Sequence, residues 1–162
     1  MTGMINISSF REGDQISMQY TCDGRDISPA ISWSDFPPET KSYAIIMDDP
    51  DAPMRTFVHW VVYNIPSKIT EMRENFPKVQ VSEHGIMQGK NDFGKFCYGG
   101  PCPPQVKSHT DIFSIYILRC QIQRYLQEWI RRSFSLPLGA GYLKRKLSLL
   151  VIRGPDEPIV IS

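Results

Sequence analysis

No apolar run in this chain approaches the roughly 20 residues that cross a bilayer as a helix. Runs such as YAIIM (Tyr43 to Met47) and SLLVI (Ser148 to Ile152) stop far short, so no integral membrane segment is expected. The opening MTGMINISSFREGD also lacks the apolar stretch of a signal peptide, which sets the expectation of a cytoplasmic protein. Charge of one sign is missing too. The formal net charge is +1 with no basic tract, which leaves no electrostatic case for nucleic acid. There is no C-x-x-C, and the four cysteines (Cys22, Cys97, Cys102, Cys120) are few for a stapled secreted scaffold. They are expected to be reduced. Cys97 and Cys102 lie in a Gly/Pro loop where an exposed thiol leaves a regulatory or adventitious disulfide open. G-x-S-x-G, H-E-x-x-H and a Walker loop are all absent, as are internal repeats, low-complexity tracts and linkers.

What is present fits a globular chain: 41% hydrophobic and 22% charged residues over 162 positions suit a single domain, 1–162, with a core of ordinary size. Thirteen prolines and eleven glycines cut the chain into short pieces. Before Leu118 most pieces carry strand signals: ISMQYTC (Ile16 to Cys22), AISWS (Ala30 to Ser34), SYAIIM, FVHWVVYN and DIFSIYIL (Asp111 to Leu118). The expectation is a mainly β fold with Pro-rich connections. Beyond Leu118, Ile122, Tyr125, Leu126, Trp129 and Ile130 recur at helical spacing, predicting an amphipathic helix that packs on the sheet. A Gly-broken connection, a short helix from about Tyr142 and a strand near Leu149 to Ile152 should follow. His84, in VSEHGIM, reads as a solvent-facing loop residue.

Two stretches carry chemistry. In MDDPDAPMRTFVHWVVYNIP (Met47 to Pro66), a buried strand runs into Asp48 and Asp49, and Pro50 and Pro53 stiffen the turn that follows. The chain then re-enters a strand in which strict alternation sets Phe57, His59, Val61 and Tyr63 on one face and Val58, Trp60, Val62 and Asn64 on the other. His59 should therefore lie close to the acidic turn. The aspartates can equally cap that turn, and His59 can be a core histidine with a backbone partner. In NDFGKFCYGGPCPPQVKSHTDIFSIYIL, Gly99, Gly100, Pro101, Pro103 and Pro104 form a restricted loop leading to His109 and a strand. Adjacent glycines there can present backbone N–H groups as an anion-binding nest, or the segment can be an ordinary omega loop.

Taken in order, YTCDGRDISPAISW, DDPDAP, HWVVYNIP, NDFG, YGGPCPP and a following histidine closely resemble the phosphatidylethanolamine-binding protein family in its bacterial, Raf-kinase-inhibitor-like branch. The likeness runs from about Ile5 to Leu118. It implies a large central antiparallel sheet, a smaller sheet, peripheral helices and a small surface pocket for phosphate or phosphoryl headgroups. Carried over, the pocket would use Asp49, Pro53, His59, Gly100, Pro103 and His109, with Asp49 accepting a hydrogen bond from ligand or histidine, Asp51 bracing the turn, and Ala52–Pro53 open to a cis peptide. Where the family commonly has His-Arg-Tyr, this chain has His109-Thr110-Asp111, and the usual loop glycine is missing from PPQVKSH. Asp111 should then oppose an anion at the rim and favour a ligand bearing an amine. Past Leu118 the likeness fades.

The function implied is non-enzymatic binding of small anionic or phosphorylated ligands, without cofactor or metal. A protein partner such as a kinase or protease follows from eukaryotic relatives, and a homodimer from bacterial ones. The alternative is a hydrolase in which the two histidines and one or two aspartates bind Zn²⁺ or Fe²⁺ or run acid-base chemistry.

Overall fold

The computed structural model describes residues 4–11, 13–36, 38, 40–50, 52, 54–102, 109–118 and 146–153, the last two stretches as backbone. Among the described residues eight strands make two antiparallel sheets. The smaller joins β1 (Met4–Ile7), β2 (Ile31–Ser34) and β5 (Glu71–Met72) in the order β1-β2-β5. The larger has the order β6-β4-β3-β7-β8, with β3 at Ser42–Asp49, β4 at Phe57–Pro66, β6 at Met87–Gln88, β7 at His109–Leu118 and β8 at Lys146–Arg153. This is the mainly β architecture expected, and among the described residues the only helical segments are two 3-10 turns. No helix among them is long and apolar enough to cross a membrane.

β3 is the centre of the large sheet, and all eight of its residues are buried, as a strand flanked on both edges and covered on both faces requires. Its side chains divide cleanly. Tyr43, Ile45 and Met47 join Trp33, Ile31, Ile7 and Trp60 in the core between the sheets, while Ala44 and Ile46 join Val58, Val61 and Tyr63 on the other face. The strand continues through Asp48 and Asp49, which pair with Val58 and Phe57, so the turn begins only at Pro50.

β4 departs from the strict alternation expected. Met47 pairs with Trp60 but Asp48 with Val58, which leaves His59 as an extra residue, and a second irregularity falls between Tyr43 and Ile45, opposite Asn64 with its φ of 55°. Each β-bulge shifts the side-chain parity by one. Val58 therefore shares a face with Val61 and Tyr63, and Ile65 shares one with Trp60 and Val62.

Ile16–Cys22 is not the strand expected. A 3-10 turn occupies Met18–Tyr20, because the segment buries Ile16, Tyr20 and Thr21 while leaving Met18 68% exposed, a spacing no straight strand can deliver. Thr21 Oγ1 donates to the Met18 carbonyl and closes the turn. The final strand begins at Lys146, earlier than expected. The helices expected over Ile122 to Ile130 and from about Tyr142 lie outside the described residues, as do Asp51, Pro53 and Pro103. His84 is exposed as expected, in a 3-10 turn at Glu83–Gly85.

Candidate functional site

Antiparallel pairing brings three chain segments to one end of the large sheet: the end of β3 at Asp49, the start of β4 at Phe57, and the start of β7, where Ile112 pairs with Asp48 and His109 is the first residue. His109 and Asp111 thus enter the same sheet end through backbone register. Asp49 and His59 are both buried, at 6% and 4% exposure.

The bulge defines His59's surroundings. An extra residue frees a Val58 N–H from the ladder, and the Asp92 carboxylate takes it at 2.7 Å, while the Asp92 N–H donates back to the Val58 carbonyl at 2.9 Å. The other Asp92 oxygen accepts from Arg55 at 3.2 Å. His59's own carbonyl accepts from Gly99 N–H at 3.1 Å and from Asn91 Nδ2 at 3.1 Å. Its ring Nδ1 lies 2.9 Å from the Gly99 carbonyl. A carbonyl can only accept, so Nδ1 carries the proton of the neutral ring. The ring also packs beside Phe57 and Phe93, with centroids 4.9 and 5.7 Å away, and Phe93 is 43% exposed at the rim.

Asn91 holds the Gly-rich segment in place. It is fully buried, and its amide donates to the carbonyls of His59 and Cys97 while its oxygen accepts from the N–H groups of Phe93 and Lys95. Of the two alternatives for this loop, the open nest is not formed by Gly99 and Gly100, because both N–H groups are already engaged, Gly99's by the His59 carbonyl and Gly100's by Asp26 Oδ1 at 2.7 Å. The expectation of reduced cysteines is likewise corrected. Cys22 and Cys102 form a disulfide across a Cα separation of 5.4 Å, and Cys97, offered as a partner for Cys102, is a buried free thiol. The fold brings together two loops far apart in sequence, with the Cys22 N–H donating to the Pro101 carbonyl beside the bond.

Burial pushes the His59 imidazolium below its ordinary value, and the Gly99 carbonyl and the charges of Asp49, Asp92 and Asp26 oppose that only in part. The sign of the linkage follows. Below the unfolded value of about 6.5 the unfolded chain takes up a proton that the folded chain refuses, so stability is lost as pH falls from about 6.5 through the lower folded value. Urea titrations between pH 8 and pH 5 should show this slope in the parent and a shallower one in His59→Gln. Identical slopes would mean that His59 titrates as it does in the unfolded chain.

Of the residues singled out from the sequence, Asp49 and His59 are buried at this sheet end and Gly100 follows the glycine bonded to His59, whereas Asp26, Asn91, Asp92 and Phe93 were given no role. The NDFG motif was legible, and Asn-Asp before a glycine is turn chemistry. That its side chains reach back to β4 was not. Among the described residues no three His, Cys, Asp or Glu side chains are arranged to hold a metal ion. A separate cavity of about 800 Å³, lined by residues including Ile69, Phe76, Val79 and Ile86, has charged residues that are all exposed, so the buried His59 remains the chemical focus.

Comparison with known proteins bears on the family and the fold. A family model for phosphatidylethanolamine-binding protein matches residues 6–148. A UPF0098 protein of Aquifex aeolicus is 57% identical over 135 residues, spanning 82% of this chain and 71% of that one. A UPF0098 protein of Methanothermobacter thermautotrophicus is 46% identical over 110 residues, 68% of this chain and 72% of that one. Among solved structures, Escherichia coli YbcL, described as a new member of the mammalian PEBP family, aligns with a TM-score of 0.80 at 26% identity, over 95% of this chain and 99% of its own. A phosphatidylethanolamine-binding protein homolog from Chlamydia trachomatis, CT736, aligns at 0.74 and 27% over 95% and 98%. A match over nearly the whole chain, on a shared two-sheet fold, establishes that this chain belongs to the phosphatidylethanolamine-binding protein family.

Proposed function

We propose that the chain is a non-enzymatic binding module that takes a small anionic or phosphorylated group at the sheet end formed by Asp49, His59, Gly100, His109 and Asp111, with Pro53 and Pro103 in the adjoining loops. One observation carries the reading: a buried histidine sits on a bulge, its Nδ1 committed to the Gly99 carbonyl, in the field of Asp49. Protonated at Nε2, such a ring donates a charge-assisted hydrogen bond to a phosphoryl oxygen. Neutral, it accepts from a protonated phosphate. Phosphate binding is therefore coupled to proton uptake, because the entering anion favours the imidazolium that burial disfavours. A ligand amine beside the phosphoryl group would suit Asp111. A phosphoryl group borne by a protein would suit the same site, which is how a partner kinase or protease would be engaged, and a homodimer and a cytoplasmic setting complete the reading.

Calorimetric or phosphorus-NMR titration with phosphate, phosphoethanolamine and phosphotyrosine tests it. Affinity for phosphate should rise as pH falls from about 8 to about 6 and continue to rise below, since His59 titrates below the ordinary histidine value. His59→Ala and Asp49→Ala should each lose at least about tenfold in affinity while keeping the fold. If either variant binds phosphate like the parent, or the pH profile is flat, the site is elsewhere.

A further inference from the structure

We propose that the Cys22–Cys102 disulfide is a thiol-sensitive clamp on this site, holding the loop that carries Gly99 and Gly100 against the loop from Tyr20 to Asp26, and that its reduction loosens the His59 pocket. As a statement about ligand affinity, the inference rests on the binding reading above. As a statement about the structure around His59, it stands by itself.

Hydrogen bonds join the two loops. Tyr98 Oη donates to the Tyr20 carbonyl at 2.7 Å, Gly100 N–H donates to Asp26 Oδ1 at 2.7 Å, and Cys22 N–H donates to the Pro101 carbonyl at 3.2 Å. The disulfide lies at the end of this seam, joining residues 80 positions apart. Each neighbour along the seam leads back to the histidine. Gly100 follows Gly99, whose carbonyl accepts from His59 Nδ1 and whose N–H donates to the His59 carbonyl. Asp26 holds its end with a φ of 55°, in the left-handed region that aspartate adopts more readily than most residues. Of these hydrogen bonds, the one from Cys22 to Pro101 adjoins the disulfide, so breaking the covalent link removes the restraint at that end of the seam.

Access separates this pair from the third cysteine. Cys102 is exposed and Cys22 partly so, whereas Cys97 is buried. Exposed disulfides are the class open to thiol exchange, while shielded ones resist it. The chemistry needs an external dithiol. Its thiolate attacks Cys102 Sγ, the S–S bond breaks, and the electron pair leaves on Cys22 Sγ, which takes a proton from solvent. The second thiol of the reductant then attacks the mixed disulfide and releases Cys102 as a thiol. Two electrons and two protons pass to the protein, and the reductant leaves as its own disulfide. A disulfide oxidant reverses the step.

The test compares the full chain oxidised, reduced with dithiothreitol, and as the Cys22→Ser/Cys102→Ser double variant, by amide hydrogen exchange, NMR titration of the His59 ring, and phosphate calorimetry. Reduction should speed exchange at Gly99 and Gly100 by about tenfold or more while Ile45 and Val62 in the sheet stay protected, as expected of local rather than global opening. The His59 titration should move up toward the ordinary histidine range as water reaches the ring. Reoxidation should restore both, and the double variant should match the reduced form without responding to dithiothreitol. Phosphate affinity should fall about tenfold on reduction. Unchanged exchange and His59 titration would overturn the clamp. So would an equal rise in exchange across the whole sheet, which would make the bond a general staple. If the pocket loosens as described but phosphate binds neither form, the clamp stands and the anion reading fails.

Discussion

Asn91→Ala should lower the unfolding free energy by about 4 kcal/mol, because four hydrogen bonds made by one buried side chain are lost at about 1 kcal/mol each. The alanine also leaves the carbonyls of His59 and Cys97 with fewer donors and the N–H groups of Phe93 and Lys95 without this acceptor. Asn91→Asp is the sharper comparison. It keeps the shape and the acceptor but replaces the NH₂ donor with a second oxygen facing two carbonyls, placing charge where no exposed surface remains. It should be at least as damaging. Urea unfolding checks both, with an unchanged m-value marking a change in stability rather than in compactness. A loss below about 1 kcal/mol in Asn91→Ala would mean that water replaces the amide and that the side chain does not organise the loop.

Gly100→Ala should cost about 3 kcal/mol and weaken phosphate binding as well, through close approach rather than backbone freedom. A Cβ at this position would press into the Tyr20 carbonyl oxygen and lie 2.6 Å from Asp26 Oδ1 and 2.8 Å from the Thr21 Cα. Two of those three atoms are backbone, and the loop bearing them is joined to Cys102 by the disulfide, so neither side can retreat by a rotamer change. Separation of the loops would carry Gly99 away from His59. Thermal unfolding and phosphate titration of the same variant read both effects. A variant with parental stability would show that the seam between the loops is looser than these distances require.

The sequence legibly encoded the strands that matter. YAIIM is continuously apolar and becomes the central β3, FVHWVVYN and DIFSIYIL become its two neighbours, and AISWS supplies β2. The order of the motifs identified the family, and the resemblance paired Asp49 with His59 before any register was known. ISMQYTC shows where local pattern misleads. It is rich in β-formers, yet the burial of Tyr20 and Thr21 together bends it into a 3-10 turn, a tertiary requirement that overrides propensity.

By itself, then, the sequence determined which segments extend, which turns are stiff and which acidic and imidazole groups lie at strand ends, because period and turn chemistry act over a few neighbouring residues. Only the tertiary structure decided that β4 carries an extra residue at His59, that Asp92 fills the place this opens in the ladder, that the glycine N–H groups are already engaged, and that Cys22 meets Cys102. Bulges, buried amide networks and disulfides depend on which distant segments come into contact and in what register. No local pattern specifies that, since the deciding partner of each residue lies tens of positions away and is chosen by the packing of the two sheets.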